Sequence, residues 1–384
     1  MPESFRQILN VGMMKKLILS LLCVCFSLTT VFGQFGERYT ILYLIPFESV
    51  SYTTPFVKVS EDMDNVMSYR LMGFWNGAQM ALEEYNAENV PLNIIVRDIT
   101  NNEAKLRRIL EDEELMREVD LIIGPFFSKP FAIAAQYAKQ YEIPIVNPFT
   151  NRQDVAKDNE FVYKLIPSPE ARPAMVAFMA QQSGAYPIIL FGDSTATNRE
   201  LKNYRTYFNQ HQIPYVLYPN ASSVVSSLKK GQHQYVIAFY DDPAQNLIIS
   251  RNLLYSDKID NLTFVVPESW MESKTYDIEY YSKLNLHYFS DYYIDFSSDK
   301  VKTYIFDYTQ RYGVPPSLEN FAFQGYDITR FFVEFLRGGK DIDRVKVTPI
   351  AFPLSFDKIP DGGFENVNVQ FLEVKDNEIV PSLY

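Results

Sequence analysis

Two short stretches put polar side chains where a parallel sheet could hold a ligand: Gly124-Pro125-Phe126-Phe127-Ser128 and Asn147-Pro148-Phe149-Thr150. The first ends a run from Asp120 to Gly124 that reads as a short buried strand, and the second follows another at Ile143 to Val146. Between them, Pro130 to Tyr141 spaces its apolar residues like an amphipathic helix, so the whole is a βαβ unit and implies parallel pairing. Open parallel sheets bind ligands beyond the carboxyl ends of their strands, and the positive end of the following helix favours anionic groups there. Ser128, just ahead of Pro130, stands like an N-cap. Its hydroxyl and the nearby backbone N–H groups could hold a carboxylate, or the hydroxyl could simply cap the helix. Phe47 and Phe149, at strand ends facing the same region, could line a pocket or belong to the core.

Residue patterns for bond-making chemistry are missing. There is no G-x-S-x-G elbow, no Walker loop and no H-E-x-x-H, and no cysteine follows Cys25. His211, His233 and His287 lack metal-ligand spacing and read as surface or packed side chains. Ser226 and Lys229 fit S-x-x-K, but the companion motifs of the acylating enzymes are absent and the segment reads as a polar helix. The run Glu111 to Glu114 reads as a solvated helix face rather than a calcium site. No enzymatic activity, cofactor or metal is therefore expected. Tyr276, Tyr280, Tyr281, Tyr288, Tyr292 and Tyr293 crowd one stretch. Such rings could stack on a sugar or peptide, although packing between lobes is the expectation.

The compartment follows from the N-terminus. Lys15 and Lys16 precede an apolar run from Leu17 to Leu28, and Val31-Phe32-Gly33 offers a small residue for cleavage before Gln34. This matches a secretory signal peptide over residues 1–33, with Met13 or Met14 a more natural start than Met1. Both cysteines, Cys23 and Cys25, lie inside that run behind Leu22 and Val24, so a lipid-anchored form is disfavoured against a free periplasmic one. No other stretch approaches the roughly 18 uninterrupted apolar residues of a membrane span. The formal charge of −11 becomes −13 once Glu3, Arg6, Lys15 and Lys16 leave with the signal. That acidic balance disfavours a nucleic-acid partner, which needs clustered Lys and Arg. The remaining chain, roughly 350 residues, is long enough for about two domains.

After the signal segment, Tyr39 to Phe47 is a continuous apolar strand. Phe74, Ala78, Ala81, Leu82 and Tyr85 then mark one face of a helix on which Gly77 suggests close packing against a sheet. A strand at Leu92 to Val96, a charged helix from about Glu103 to Glu118 and the βαβ unit complete one doubly wound lobe. Asn151 to Ala171 breaks the rhythm and reads as a crossing. A second alternation starts at Tyr186 to Phe191, with a helix at Asn198 to Gln210, a strand at Tyr215 to Tyr218 and a short helix at Ser222 to Lys229. It continues with a strand at Tyr235 to Phe239, a helix at Ala244 to Leu254 and a strand at Thr263 to Pro267. Two helices follow, about Asp299 to Tyr312 and Leu318 to Leu336. From Val345 to Val380 the pattern is of short strands, with turns at Pro360 to Gly363 and at Asp376-Asn377.

Several of these segments carry a family likeness: Phe74 to Leu82, the Gly124-Pro125-x-x-Ser128 turn, Ile143 to Thr150, Phe191-Gly192-Asp193, Val266-Pro267-Glu268 and Gln324 to Ile328. In this order they resemble the type I periplasmic binding proteins, in particular the amino-acid receptors of ABC transporters, over nearly the whole chain after the signal. The resemblance implies an α/β fold of two doubly wound parallel-sheet lobes joined by a three-crossing hinge. Residues 34–165 and 296–342 would form lobe 1, and residues 166–295 and 343–384 would form lobe 2. It further implies that Ser128 and Thr150 meet the carboxylate and ammonium of an amino acid, that Glu268 is the acidic ammonium partner, and that Tyr240 is an aromatic contact. A membrane permease would receive the ligand. Ser194 to Asn198 replaces the family's glycine-rich, tyrosine-bearing loop, and Ala238 to Asp242 replaces the small residues expected beside a ligand. The alternative implied is a degenerate cleft serving as an envelope scaffold or regulator through protein contacts.

Overall fold

Long apolar runs become buried strands here, and polar residues at their ends become caps. The computed structural model describes residues 38–47, 67–100, 102–193, 198–272 and 278–382. The predicted signal segment, the loop at 194–197 and Tyr276 lie outside the described residues. In chain order, the first lobe is built from β1 (Tyr39–Ile45), α1 (Met67–Ala87), β2 (Leu92–Asp98), α2 (Glu103–Leu110) and α3 (Glu113–Glu118). It continues with β3 (Leu121–Ile123), α4 (Ser128–Tyr141), β4 (Ile145–Asn147) and β5 (Val162–Lys164). The second lobe begins with α5 (Ala171–Ser183), β6 (Ile188–Phe191), α6 (Arg199–Gln210), β7 (Tyr215–Tyr218) and α7 (Ala221–Ser227). It goes on through β8 (Gln234–Ala238), α8 (Pro243–Leu254), β9 (Leu262–Val266), α9 (Ser269–Glu272), α10 (Ile278–Lys283) and β10 (Leu286–Ser290). The chain then runs through α11 (Asp299–Tyr312), α12 (Ala322–Arg337), β11 (Phe356–Lys358), β12 (Phe364–Asn366), β13 (Gln370–Lys375) and β14 (Glu378–Pro381).

Each lobe holds a seven-stranded sheet. The orders are β2-β1-β3-β4-β5-β12-β11 and β7-β6-β8-β9-β10-β13-β14, parallel over the first five strands of each. Ile41 to Ile45 are fully buried, as are Leu121 to Ile123, which is why these strands read as unbroken apolar runs rather than alternations. The switch in strand order falls between β1 and β3 in one sheet and between β6 and β8 in the other, the places where doubly wound sheets open a crevice.

Three differences from the sequence expectation have clear causes. The charged helix breaks in two because Asp112 accepts the Leu115 N–H at 3.2 Å and so caps a new helix, as Asn102 caps the one before. Gly77 faces a helix, not a sheet: a Cβ there would lie 1.9 Å from the Ala322 carbonyl oxygen, and one on Gly325 would lie 1.9 Å from that of Phe74. These glycines let α1 and α12 cross backbone to backbone. The end of the chain is also divided, since residues 343–384 do not all pass to the second lobe. β12 pairs in parallel with β5, and Tyr163 stacks on Phe364 at 4.8 Å and meets Phe356 edge-on at 5.7 Å. Only β13 and β14 join the second sheet. Short hairpins carry the same alternation whichever sheet receives them, and the packing around Tyr163 decides.

The chain therefore passes between lobes after β5, after β10 and after β12. The first and third passages are tied by a buried ion pair: Lys164, with a fully buried side chain, lies 3.1 Å from Glu365 and donates to the Ile166 carbonyl at 2.5 Å. Burial holds the Lys164 ammonium below its usual range, and Glu365 works against that shift. Glu365 also accepts the Ser168 N–H, and Asn366 donates to the Leu165 carbonyl at 2.9 Å. The second passage is anchored by Tyr293, whose N–H bonds the Ala351 carbonyl. Ala351 and its neighbours Ile350 and Phe352 donate their N–H groups to the fully buried Asp327 carboxylate of α12.

Candidate functional site

At the carboxyl ends of the first sheet, the residues singled out by spacing stand on a largely apolar wall. Phe127, not Ser128, is the N-cap residue of α4, and it makes no side-chain capping bond. Ser128 is the first helical residue and is exposed, because the helix begins earlier than Pro130 suggests. Proline fits any of the first positions whose N–H groups lack partners. Asn147 takes the capping part instead: its Oδ1 accepts the N–H groups of Phe149 at 3.0 Å and Thr150 at 2.9 Å, fixing the turn after β4. The buried Thr150 turns its own Oγ1 to the Arg152 N–H at 3.3 Å. Phe149 is half-buried between Phe126 at 5.1 Å and Phe321 at 4.5 Å, while Phe126 meets Phe74 at 4.9 Å. The Arg70 guanidinium covers Phe321 at 4.2 Å. Phe47 packs half-buried against the same core, its N–H on Asp98.

The second sheet ends differently. Glu268 follows β9 and accepts the Ser290 hydroxyl at 2.7 Å. Burial pushes its carboxyl above the usual range, against the Ser290 hydrogen bond and the nearby Arg172 charge. Arg172, in the first turn of α5, is shared between Glu200 at 3.2 Å and Asp291 at 3.7 Å. Tyr240, just past β8, donates its hydroxyl to the Pro219 carbonyl at 2.9 Å and packs against Phe191 at 4.7 Å. The carboxylates after it belong to the scaffold: Asp242 caps α8 through the Ala244 N–H, and Asp241 accepts the Ser269 hydroxyl at 2.7 Å.

A cavity of about 720 Å³ opens between this wall and the second passage. Glu268, Tyr288, Tyr292, Tyr293, Asp295 and Glu378 line it together with aliphatic side chains, among them Leu318 from the first lobe. Its size and mixed lining fit a small-molecule site. Of the six residues expected at the site, Glu268 borders this cavity; Ser128, Thr150, Tyr240, Phe149 and Phe47 do not. Arg172, Ser290, Asp291, Asp295 and Glu378 were missed. A signal for two of them existed, since Ser290 and Asp291 close β10 at its carboxyl end, but that strand is hidden within the tyrosine-rich stretch. That stretch serves two purposes. Tyr281 is buried with its hydroxyl on the Trp270 carbonyl, whereas Tyr288, Tyr292 and Tyr293 face the cavity.

The three histidines are accounted for as packed or surface groups: His233 bonds Thr263, His287 stacks on Phe371 and His211 stacks on Tyr207. Among the described residues, no group of three or more His, Asp or Glu is placed to hold a metal ion, and no helix is long and apolar enough to cross a membrane.

The profile of the family described as periplasmic binding protein matches residues 59–362. No curated protein sequence matches the chain. Among solved structures, one similar to this chain is a protein from Rhodospirillum rubrum provisionally described as a branched-chain amino acid ABC transporter. It has a TM-score of 0.59 and 14% identity, with 90% of this chain and 100% of that one covered. Full-length LpoA from Haemophilus influenzae aligns with a TM-score of 0.58 and 13% identity, covering 91% of this chain and 60% of its own. An ABC transporter substrate-binding protein from Desulfitobacterium hafniense gives 0.50 at 15% identity, with 90% and 100% covered. At such identities the likeness is one of fold.

Proposed function

Because this chain belongs to the periplasmic binding protein family, we propose that it is an exported receptor for a small amine-bearing solute of amino-acid type, which it passes to an ABC-type permease. The observation that carries this reading is Glu268. It is a half-buried carboxylate at the end of a parallel strand, oriented by Ser290 and bordering a cavity of about 720 Å³. A carboxylate held there above its usual range gains most from an ammonium partner, which removes the uncompensated charge. The permease, the periplasmic location and the signal peptide over residues 1–33 are parts of the same proposal. Thermal unfolding of the purified chain with amino acids and simple amines tests it. A ligand at 100 times its dissociation constant adds about 2.7 kcal/mol, or several degrees for domains of this size. A shift with one amine class that disappears in Glu268→Gln is the expected result; a folded sample with no shift for any amine would end this reading.

One observation favours a second reading, an envelope scaffold acting through protein contacts. The end of the first sheet, where a ligand's carboxylate would be held, is filled by Phe126, Phe149 and Phe321. Silence in the solute screen would support this reading.

A further inference from the structure

The lining of the cavity says more about charge than a receptor for amino-acid-like solutes requires. Three carboxylates border it, Glu268 from the end of β9, Asp295 from the second passage and Glu378 from β14. Among the described lining residues none is basic. Two cations within electrostatic reach of Glu268 and Asp295 are engaged elsewhere. Arg172 is held by Glu200 and Asp291, and Lys302 donates to the Ser297 carbonyl at 2.7 Å and lies 3.9 Å from Asp299. Tyr288, Tyr292, Tyr293 and Phe296 supply aromatic faces on the same wall. Tyr293 lies within electrostatic reach of both Asp295 and Glu378, and Tyr288 within reach of Glu268, so rings and carboxylates surround one space.

Aromatic faces attract cations through their quadrupoles, and a desolvated carboxylate adds to that attraction. Among the described residues lining the same space, a ligand carboxylate would meet three like charges and no guanidinium or ammonium. We propose that the cavity selects solutes of net positive charge with an aliphatic body: amines whose carboxylate is absent, amidated or outweighed by a second ammonium. This rests on the receptor reading above and narrows its substrate class. The aliphatic part would lie against Met271, Ile278, Ile294 and Leu318.

A matched set of probes with one carbon skeleton separates the possibilities. Leucinamide is a cation, leucine a zwitterion and 4-methylpentanoate an anion. Titration calorimetry on the full chain is expected to show leucinamide binding at least about tenfold more tightly than leucine, the equivalent of one well-formed cation–π and carboxylate contact set. The anion should not bind. Tyr293→Leu, which keeps an apolar wall but removes the ring, should cost leucinamide about fivefold while leaving any leucine affinity nearly unchanged. Leucine binding as tightly as leucinamide, or any binding of 4-methylpentanoate, overturns the charge selection and leaves the receptor reading standing. Silence of all three overturns it too, and the wider amine screen with Glu268→Gln then decides whether the receptor reading falls with it.

Discussion

The two sheets share a strand order, a parallel core and the same topological switch, yet their strand ends differ in chemistry. In the first lobe the loops after β3 and β4 put Phe126 and Phe149 into a file that runs from Phe74 to Phe321 and ends under Arg70. Polar groups there are consumed locally, Asn147 by its own turn and Thr150 by Arg152. In the second lobe the strands in those places are β8, followed by Phe239 and Tyr240, and β9, followed by Glu268; Ser290 and Asp291 at the end of the next strand, β10, meet Glu268 and Arg172, and a cavity borders Glu268. The contrast teaches that a doubly wound sheet fixes where a site can be, while the few residues beyond each strand decide whether that place is filled or left open. One wall of this molecule is packed with aromatic rings, and the other carries charge beside a cavity.

That contrast can be broken. The largest effect is expected from Phe149→Ala, which removes the centre of the aromatic file. It should destabilise the chain by about 3 kcal/mol in urea unfolding, at the lower end for a phenylalanine because Phe149 is only half-buried. Affinity for an amine should be unchanged. Loss of binding in a variant that still folds would mean that the first wall also holds ligand. A smaller effect sharpens the picture of the second lobe. His287 is buried on β10, its Nδ1 2.9 Å from the Asn285 carbonyl, and burial lowers its pKa to about 4. The folded state then binds fewer protons than the unfolded chain between about pH 4 and 6.5, so stability is full above pH 6.5 and is lost as pH falls towards 4. Glu373 lies 3.5 Å from Nε2 and meets a charged partner there only once the ring protonates. His287→Phe should flatten the urea midpoint over that range relative to the parent chain; an unchanged slope would assign the dependence to other groups. The smallest effect belongs to Ser128→Ala. An exposed residue without a capping bond should change stability by no more than about 0.5 kcal/mol and leave binding untouched, and a loss of affinity would restore Ser128 to the site.

Burial by period is what the amino-acid order determined on its own. Continuous apolar runs gave the parallel strands of both sheets except β5 and β10, helical spacing gave α1, α4 and α11, and Asp376-Asn377 forms the predicted turn of the last hairpin with both residues at positive φ. Glu268 was reached only through the family resemblance, on the Val266-Pro267-Glu268 segment. Tertiary structure alone decided the rest. Whether the hairpin at 356–366 joined the first or second sheet depended on Tyr163 finding Phe356 and Phe364, a contact between residues some two hundred positions apart. The cavity likewise gathers Glu268, Asp295 and Glu378 from three separate segments. Local sequence fixes which side chains turn inward through backbone geometry and the hydrophobic effect, but which distant segments share a space is set only when the whole chain packs.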